Sequence, residues 1–408
     1  MQLVFILGSN PDLSRQEILA IATILPFPWS TFMIRPGVLG LKSTDTLSWE
    51  SEGISGFLSP QQQYLRDILV TMQRRLGGTR EIRWMVKPIS KQGFLPTVHN
   101  IMQGIVEEAP KWSVGGLTER QGIALKKQLR SEGGNLRFLE ISNDATIWHK
   151  RLDLLRFDPL HPALNVSQID GFLTVTISIQ NVEEYSRRDF GIPAPDAASG
   201  MLPPKLAQAM INLAVGDMQN AVVYDPFCGN GRILLEGQAM GYSVFGSDIV
   251  PAKVEASIKN LAWLTDQDVS YQPELRVWQA DATNSKTLAQ LQSHIASQQG
   301  LEENEQLFVV GEPFLGPALR KPLTSKEGET WLKELAPLYV DFLVAWANER
   351  LAGIMLVFPV AKTENGEVSL LEQVFDRVRA LGYTPNRRAR YARPDALVSR
   401  DLVSLTRN

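Results

Sequence analysis

The sequence has a single cysteine, Cys228, and four histidines among its 408 residues. One cysteine excludes a framework of disulfides within the chain and any cysteine-rich zinc site. The histidines are scattered through the chain, at His99, His149, His161 and His294, so a histidine-based metal site is unfavourable as well. We therefore expect a protein without a bound metal.

Long hydrophobic runs are also missing. The apolar run at the start of the chain covers only residues 3–7, whereas a helix that crosses a bilayer needs about 20. Because this run is rich in β-forming residues and lacks the basic start of a signal peptide, we interpret it as a buried strand of a cytoplasmic protein.

An excess of charge of one sign is lacking too. The net charge is −3, with 44% hydrophobic and 21% charged residues. This composition is typical of a globular chain with about two or three domains, and it provides no overall field to attract nucleic acid. A polyanion would have to be held by local clusters of lysine and arginine.

What the chain does contain is a change of pattern along its length. Mixed helix and strand signals predict a small α+β module over 1–90 and a compact α/β module over 91–182. The segment 183–204 is rich in Pro, Gly, Ala and charged residues and is interpreted as a linker. Over 205–408 strands alternate with helices, which predicts a doubly wound parallel sheet, and the tail alternates like an antiparallel strand.

Four local signals support the first two modules. Ser14 and Glu17 have capping-box spacing, which predicts a helix that starts near Ser14. A helix is predicted over 117–131, and strands are predicted over 136–141 and 172–179.

The sharpest motif lies between a predicted strand and a predicted helix, and it reads Asp-Pro-Phe-Cys-Gly-Asn-Gly-Arg over 225–232. Gly229 and Gly231 allow a tight turn that brings backbone N–H groups to a ligand at a helix N-terminus. The third glycine of a dinucleotide fingerprint is replaced by Leu234, which disfavours a pyrophosphate. Asp225 would attract a cation, so a ligand with an ammonium and a carboxylate, such as the methionine part of S-adenosylmethionine (SAM), fits both features.

Two further acids follow the next two predicted strands. Asp248 lies 23 residues after Asp225, where an acid can accept hydrogen bonds from both ribose hydroxyls. Asp281 follows the third strand, where an acid can bind the adenine amino group. For any one of these aspartates alone we favour a helix cap or a turn residue, but three at successive strand ends predict a nucleotide site.

Cys228 lies inside the glycine turn. A nucleophilic role is conceivable, but no histidine is near it in sequence and no second cysteine can resolve it. We favour a structural role, as a small residue packed in a tight turn.

Taken together, the stretches 225–231, 247–249 and 312–314 resemble the amino-directed SAM-dependent methyltransferases. The resemblance implies a Rossmann-like class I methyltransferase sheet with an antiparallel C-terminal hairpin, and SAM as the cofactor. The cofactor-binding residues that it implies are Asp225, Phe227, Gly229, Gly231, Asp248, Ile249, Asp281 and Ala282.

Three upstream stretches narrow the resemblance. Residues 186–190 and 202–207 look like the linker and the pre-catalytic helix of the THUMP-containing tRNA guanine-N2 methyltransferases of archaea and eukaryotes. The opening at 7–11, followed by a capped helix, is similar to that family's N-terminus. The resemblance implies that 1–90 is a THUMP-associated module, that 91–182 is a THUMP-like RNA-binding domain, and that the partner is tRNA or another structured RNA.

The catalytic motif of these enzymes is Asp/Asn-Pro-Pro-Tyr/Phe, and this chain departs from it. If Glu312 is the acid, the second proline is missing and Leu315 stands where the aromatic ring belongs; if Phe314 is the aromatic residue, Gly311 stands where the acid belongs. The resemblance implies that Glu312 and Pro313 accept hydrogen bonds from the base amine and that Phe314 stacks on the base. An ordinary turn at the end of a strand remains the alternative.

Clusters of basic residues are candidates for RNA contact. The residues that we single out are Lys126, Lys127, Arg130, Arg187 and Arg188. Arg187 and Arg188 lie beside Glu183 and Glu184, so pairing within the linker is the alternative. A THUMP-like module would hold tRNA by its shape and phosphates.

The sequence therefore predicts a SAM-dependent RNA methyltransferase that acts on an exocyclic base amine, and by resemblance on guanine N2 of tRNA. One alternative is a DNA amino-methyltransferase. The altered motif around Glu312 supports another alternative, a non-catalytic protein that binds SAM and RNA, or a subunit that needs a small activator.

Overall fold

The fold is taken from a computed structural model, whose described residues form two compact units. The first unit is Met1–Pro11 with Ala22–Tyr185, and the second is Asp12–Ile21 with Ser186–Asn408. The described residues are 2–7, 9–25, 28–35, 38–43, 68–69, 71–72, 74–76, 79–90, 92–94, 96–97, 99, 111–115, 119–131, 137–138, 163–196, 201–218, 220–265, 272–296, 306–347, 351–393 and 395–407.

The first unit is built on a sheet. Its described elements are β1 (Gln2–Leu7), β2 (Trp29–Arg35), β3 (Val38–Ser43), β4 (Thr79–Pro88), β5 (Lys111–Gly115), α2 (Glu119–Ser131), β6 (Arg137–Phe138), β7 (Ala163–Ile169) and β8 (Phe172–Ile179). The strands lie in the order β2-β3-β1-β4-β8-β7-β5-β6, and β4 pairs with β8. One sheet therefore continues through the two N-terminal modules whose boundary the sequence predicts at residue 90.

The predicted elements of this unit are found where the structure describes them. The strand expected over 172–179 is β8, because its β-branched and aromatic residues suit a pleated sheet. Of the expected helix over 117–131, Glu119–Ser131 form α2, and residues 117 and 118 lie outside the described residues. Of the expected strand over 136–141, Arg137–Phe138 form β6 and the rest lies outside the described residues.

In the second unit, strands and helices alternate along the chain. Its described elements are α1 (Pro11–Ile21), α3 (Val182–Phe190, entering from the first unit), α4 (Pro204–Val215), β9 (Ala221–Asp225), α5 (Arg232–Ala239), β10 (Ser243–Asp248), α6 (Pro251–Leu264), β11 (Val277–Gln279), α7 (Lys286–Ala296), β12 (Gln306–Gly311), α8 (Ser325–Trp346), β13 (Gly353–Thr363), β14 (Gly366–Ser369), α9 (Leu370–Ala380), β15 (Tyr383–Tyr391) and β16 (Val398–Arg407). Among the described residues, no helix has the length and apolarity needed to cross a bilayer.

The sheet of this unit has the strand order β11-β10-β9-β12-β13-β16-β15. The five strands from β11 to β13 are parallel, and β16 joins β13 and β15 in antiparallel pairs. The order reverses beside β9, which has β10 on one side and β12 on the other. This is the predicted Rossmann-like sheet with an antiparallel C-terminal hairpin.

Alternate residues of the strands serve two cores, one on each face of the sheet. On β9, Val223 packs against residues of α4 and α5, whereas Val222 and Tyr224 pack on the other face against residues of α8. The buried strands thus read as nearly continuous hydrophobic runs, as is typical of a parallel sheet covered on both sides.

Two local expectations differ from the structure. Helix α1 begins at Pro11, earlier than the predicted start at Ser14, because proline is well suited to the first helical position. Ser14 and Glu17 are buried, and Glu17 Oε1 accepts a hydrogen bond from Asn212 Nδ2 at 2.9 Å, so α1 packs within the second unit. The segment interpreted as a linker also contains most of helix α3.

Candidate functional site

Four acidic side chains lie at the carboxyl ends of neighbouring parallel strands. Asp225 ends β9, Asp248 ends β10, Asp281 follows β11 and Glu312 follows β12. All four line one cavity of about 700 Å³. The cavity lies where the strand order reverses beside β9, which is the position where open α/β sheets bind ligands.

The turn from β9 to α5 depends on its glycines. Gly229 and Gly231 have positive φ values of 52° and 79°, which favour glycine. A Cβ at Gly231 would also lie 2.9 Å from Ser257 Oγ, so a larger residue would not fit. The turn is fixed by neighbouring residues, since Cys228 N donates to Ser247 O at 3.0 Å and Ser257 Oγ donates to Gly229 O at 2.8 Å.

Asp225 lines the cavity and is 2% exposed. Its Oδ1 accepts a hydrogen bond from Phe227 N at 3.0 Å. Burial raises the pKa of Asp225 well above its ordinary value; the bond from Phe227 partly opposes this, and the negative charges of Asp248 and Glu312 raise the pKa further. A positively charged ligand group beside Asp225 would relieve this cost of burial.

Asp248 is held by the backbone through both of its carboxylate oxygens. Gly229 N donates to Oδ2 and Val250 N donates to Oδ1, each at 2.9 Å. The adjacent Ile249 is 61% exposed although it is a large apolar residue, and it lines the cavity. This arrangement fixes the carboxylate and leaves an apolar surface next to it, as a site for a nucleoside needs.

Asp281 is exposed and makes a local turn. Its Oδ1 accepts hydrogen bonds from Thr283 N at 2.9 Å and Thr283 Oγ1 at 2.7 Å. Ala282 is buried next to it, and its carbonyl oxygen accepts a hydrogen bond from Trp346 Nε1 at 3.0 Å. The sequence analysis gave two interpretations of Asp281, as a turn residue and as a residue that binds adenine. This geometry fits both, and the contact with adenine stays a prediction.

The residues of the predicted catalytic corner also meet at the cavity. Pro313 is buried, whereas the ring of Phe314 is 60% exposed. The backbone of this segment is fixed by Tyr339, whose hydroxyl group donates to Phe314 O at 3.3 Å. Leu315 is partly buried and packs against a hydrophobic core. The exposed aromatic ring of the corner is thus Phe314, the residue to which the resemblance assigned stacking.

The structure adds Arg400 to this corner, which the sequence did not predict. Arg400 lies on β16, and its Nε donates to Glu312 Oε1 at 2.5 Å. Burial raises the pKa of Glu312, while the charge and hydrogen bond of Arg400 lower it, and the balance stays above the ordinary value. The two residues are 88 positions apart, and nothing in the local sequence links them.

Cys228 has the surroundings of a structural residue. It is 4% exposed, and burial raises the pKa of its thiol well above the ordinary value, which disfavours the nucleophilic thiolate. Ser257 Oγ lies 3.5 Å from its sulfur. The structure thus agrees with the favoured sequence interpretation.

The predicted RNA-contacting residues have different environments. Lys127 and Arg130 are exposed on α2 of the first unit, and Lys126 is partly buried there. In the second unit, Arg187 is exposed and its guanidinium lies 4.8 Å from the centre of the Trp263 ring. The exposure of these side chains does not test whether they contact RNA, so that contact stays a prediction.

Arg188 is placed differently from its neighbour. Its side chain is buried, and its Nε donates to Glu236 Oε1 at 2.9 Å and Oε2 at 3.1 Å. The sequence had offered Glu183 and Glu184 as its pairing partners. A contact between Arg188 and RNA would require this buried ion pair to break.

Comparisons with known proteins show similarity over the part of the chain that contributes Asp225, Asp248 and Asp281 to this site. Residues 193–298 match the family model described as an RMKL-like methyltransferase domain. Over 62 residues the chain is 45% identical to a tRNA (guanine(10)-N2)-dimethyltransferase of Methanothermobacter thermautotrophicus. This alignment covers 15% of this chain and 18% of the relative. Over 67 residues it is 39% identical to the enzyme of the same name from Pyrococcus abyssi, which covers 16% and 20%. Among solved structures, it is similar to precorrin-6y C5,15-methyltransferase of Geobacter metallireducens, with a TM-score of 0.32 and 11% identity over 54% of this chain and 96% of that one.

These matches are local. The chain spans about a fifth of the length of the curated relatives that it matches. The matches do not address the THUMP-like domain, which stays a prediction. The match over residues 193–298 to an RMKL-like methyltransferase domain agrees with the methyltransferase interpretation of the sequence motifs.

Proposed function

We propose that this chain is a SAM-dependent methyltransferase that methylates an exocyclic base amine, most specifically guanine N2 of tRNA. The observation that carries the proposal is the single cavity at the ends of β9 to β12. One side of this cavity has the acids expected of a nucleotide site, and the other has Glu312, Pro313 and Phe314. The two curated relatives are named for the same reaction on guanosine 10 of tRNA.

The cavity residues fit SAM by their chemistry. Asp225 would hold the cationic methionine end, and Asp248 would accept hydrogen bonds from the ribose hydroxyls. Asp281 and Ala282 would lie at the adenine, and the glycine turn would bring backbone N–H groups to the ligand. When bound, SAM supplies an electrophilic methyl group on a sulfonium.

The chain's own residues have three tasks at the acceptor. An ionised Glu312 accepts an N–H hydrogen bond from the base amine, which moves the nitrogen lone pair away from the ring. The Pro313 carbonyl offers a second acceptor, and the exposed ring of Phe314 stacks on the base. Base-stacking at the mouth of the cavity requires a nucleotide that has left its helix, as for other enzymes that modify a base.

RNA binding would use exposed cations that do not line the cavity. Lys127 and Arg130 on α2, and Arg187 on α3, are free to meet a phosphate backbone without breaking a buried ion pair. A THUMP-like domain over 91–182, a cytoplasmic location and the choice of tRNA over other structured RNAs belong to this proposal. A small activator subunit is left open.

Methyl transfer from labelled SAM to unmodified bulk tRNA tests the proposal. The expected product is N2-methylguanosine or its dimethyl form, identified by mass spectrometry of the digested nucleosides. Duplex and single-stranded DNA in the same assay separate the proposal from a DNA amino-methyltransferase. Methylation of DNA alone, or of a different base atom, would contradict it.

One observation favours a second candidate, a protein that binds SAM and RNA without catalysis. Glu312 is already paired with Arg400, and the second proline of the motif is missing. Tight SAM binding with no transfer to any RNA would support this candidate. Calorimetry of SAM binding on the same preparation therefore accompanies the transfer assay.

A further inference from the structure

The Glu312–Arg400 pair spans more than one strand of the sheet. Glu312 follows β12 and Arg400 lies on β16, and β13 lies between these strands. Neighbouring strands are about 4.8 Å apart, so only long side chains can meet across β13. An aspartate in place of Glu312 would be shorter by one carbon–carbon bond, about 1.5 Å. The pair thus gives a physical reason why this chain has glutamate where the methyltransferases that it resembles have aspartate or asparagine.

The pair is also enclosed and lines the cavity. The side chains of Glu312 and Arg400 are 18% and 14% exposed. Among the described residues, Arg400 is the hydrogen-bond donor recorded for Glu312, and the bond uses Oε1. Oε2 is therefore left to accept a hydrogen bond from a ligand in the cavity.

The titratable and charged groups around Glu312 come from three elements. Asp225 lies at the end of β9; burial raises the pKa of its carboxyl group, and the charge of Glu312 adds to the rise. Tyr339 on α8 is buried, and Glu312 raises the pKa of its hydroxyl. Arg400 on β16 is the cation that opposes the effect of burial on the pKa of Glu312.

The two other cations that line the described cavity are engaged elsewhere. Arg232 bonds to the carbonyl of Arg188 and lies 3.7 Å from the carboxylate of Asp189. Lys253 is paired with Asp196. Arg400 is therefore the cavity cation in a position to act on the acceptor side.

We propose that Arg400 is a positioning residue for methyl transfer, which holds Glu312 as an anion with Oε2 turned toward the amine of the target base. This inference rests on the proposed function and adds a residue to it. In this role Arg400 acts through Glu312 and exchanges no proton. It acts by keeping the glutamate charged in a partly buried corner, where a neutral carboxyl group would be a poor acceptor.

The test is the pH profile of methyl transfer by Arg400→Gln and Arg400→Lys. In Arg400→Gln the pKa of Glu312 should rise, so the acid limb of kcat should move upward by about one pH unit or more. At neutral pH we expect kcat to fall about tenfold to 100-fold, while Kd for SAM stays within about twofold. Arg400→Lys keeps the charge and loses the planar guanidinium, so its acid limb should stay near that of the unchanged protein with a smaller fall in kcat.

Arg393→Gln is the matched control. Arg393 is exposed in the connection between β15 and β16, and no ion-pair partner is recorded for it among the described residues. Its variant should retain the kcat and pH profile of the unchanged protein. Thermal unfolding of all three variants identifies any that fail to fold.

Three outcomes decide the matter. An acid limb that does not move in a folded Arg400→Gln overturns the positioning role, and so does a rise in kcat, which would identify Arg400 as a block on Glu312. Absence of transfer by the unchanged protein, with SAM bound, overturns the proposed function instead. In that case, carbon-13 NMR titration of the Glu312 carboxyl group in the unchanged protein and in Arg400→Gln still decides whether Arg400 sets its ionisation.

Discussion

The two sides of β9 hold their acidic side chains by different means. On the cofactor side, Asp248 is held by Gly229 N and Val250 N, and Asp281 is held by Thr283. These partners lie in adjacent turns, so their geometry is built by short stretches of sequence. On the acceptor side, Glu312 is held by a residue 88 positions away.

The difference has a functional meaning. A site that binds a common cofactor can be made from local turns, because the ligand's shape does not change from one enzyme to another. A site that receives a particular base amine depends on how distant strands meet. We therefore expect changes on the cofactor side to affect Kd for SAM, and changes on the acceptor side to affect kcat.

The largest expected effect is on the cofactor side, in Asp248→Ala. This change would remove the proposed acceptor of two ribose hydrogen bonds, and it removes the bonds from Gly229 N and Val250 N that fix the turn. We expect Kd for SAM to rise about 100-fold or more, measured by isothermal titration calorimetry. Asp376→Ala, at an exposed position of α9, is the control. An unchanged Kd in Asp248→Ala would remove Asp248 from the cofactor site.

On the acceptor side, Glu312→Gln should lower kcat about 100-fold and leave Kd for SAM unchanged, because the amide keeps the shape and loses the charge. The acid limb that Glu312 sets should disappear from the pH profile of the residual activity. Glu329→Gln, exposed on α8, is the control. If Glu312→Gln weakened SAM binding and left kcat intact, the division between the two sides would be wrong.

Phe314→Leu should have a smaller effect on the same side. Loss of stacking on one base should lower kcat/KM for tRNA about tenfold, and Phe314→Tyr should restore it. Phe375→Leu replaces another partly exposed phenylalanine, on α9, and should change nothing in the transfer assay. Equal activity of Phe314→Leu and the unchanged protein would show that the base does not stack there.

The smallest effect is expected for Cys228→Ala on the cofactor side. A buried thiol with a raised pKa is not a nucleophile, so transfer should stay within about twofold. A modest fall in Tm should reflect the lost packing around the turn. Loss of all transfer in a folded Cys228→Ala would instead assign a chemical role to the thiol.

The sequence was most informative where a contiguous stretch defines the structure. The glycine turn over 225–231, and the acids at the next two strand ends, could be located because each strand, turn and helix follows in order. The strand over 172–179 was predicted with its observed bounds for the same reason. The comparisons confirm the type of domain, whereas the ligand roles of individual residues stay predictions.

The sequence was least informative where elements distant along the chain meet. Arg400 could not be found, because the spacing of Glu312 and Arg400 is set by the order β12-β13-β16. The capping-box spacing at Ser14 and Glu17 suggested a cap, but both residues are buried, and Glu17 is bonded to Asn212 of α4. A local sequence pattern carries no information about a partner that is distant along the chain, such as Arg400 or Asn212.

Helix α1 is synthesised long before the other elements of the second unit with which it packs. Glu17 and its partner Asn212 are 195 residues apart, so at about 5–20 residues per second a ribosome would complete α1 roughly 10 to 40 s before α4. Leu13 and Ala20 pack against the core that contains α4. A fragment that begins at residue 186 would therefore leave that part of the core uncovered, and adding residues 11–21 as a separate peptide should raise its Tm.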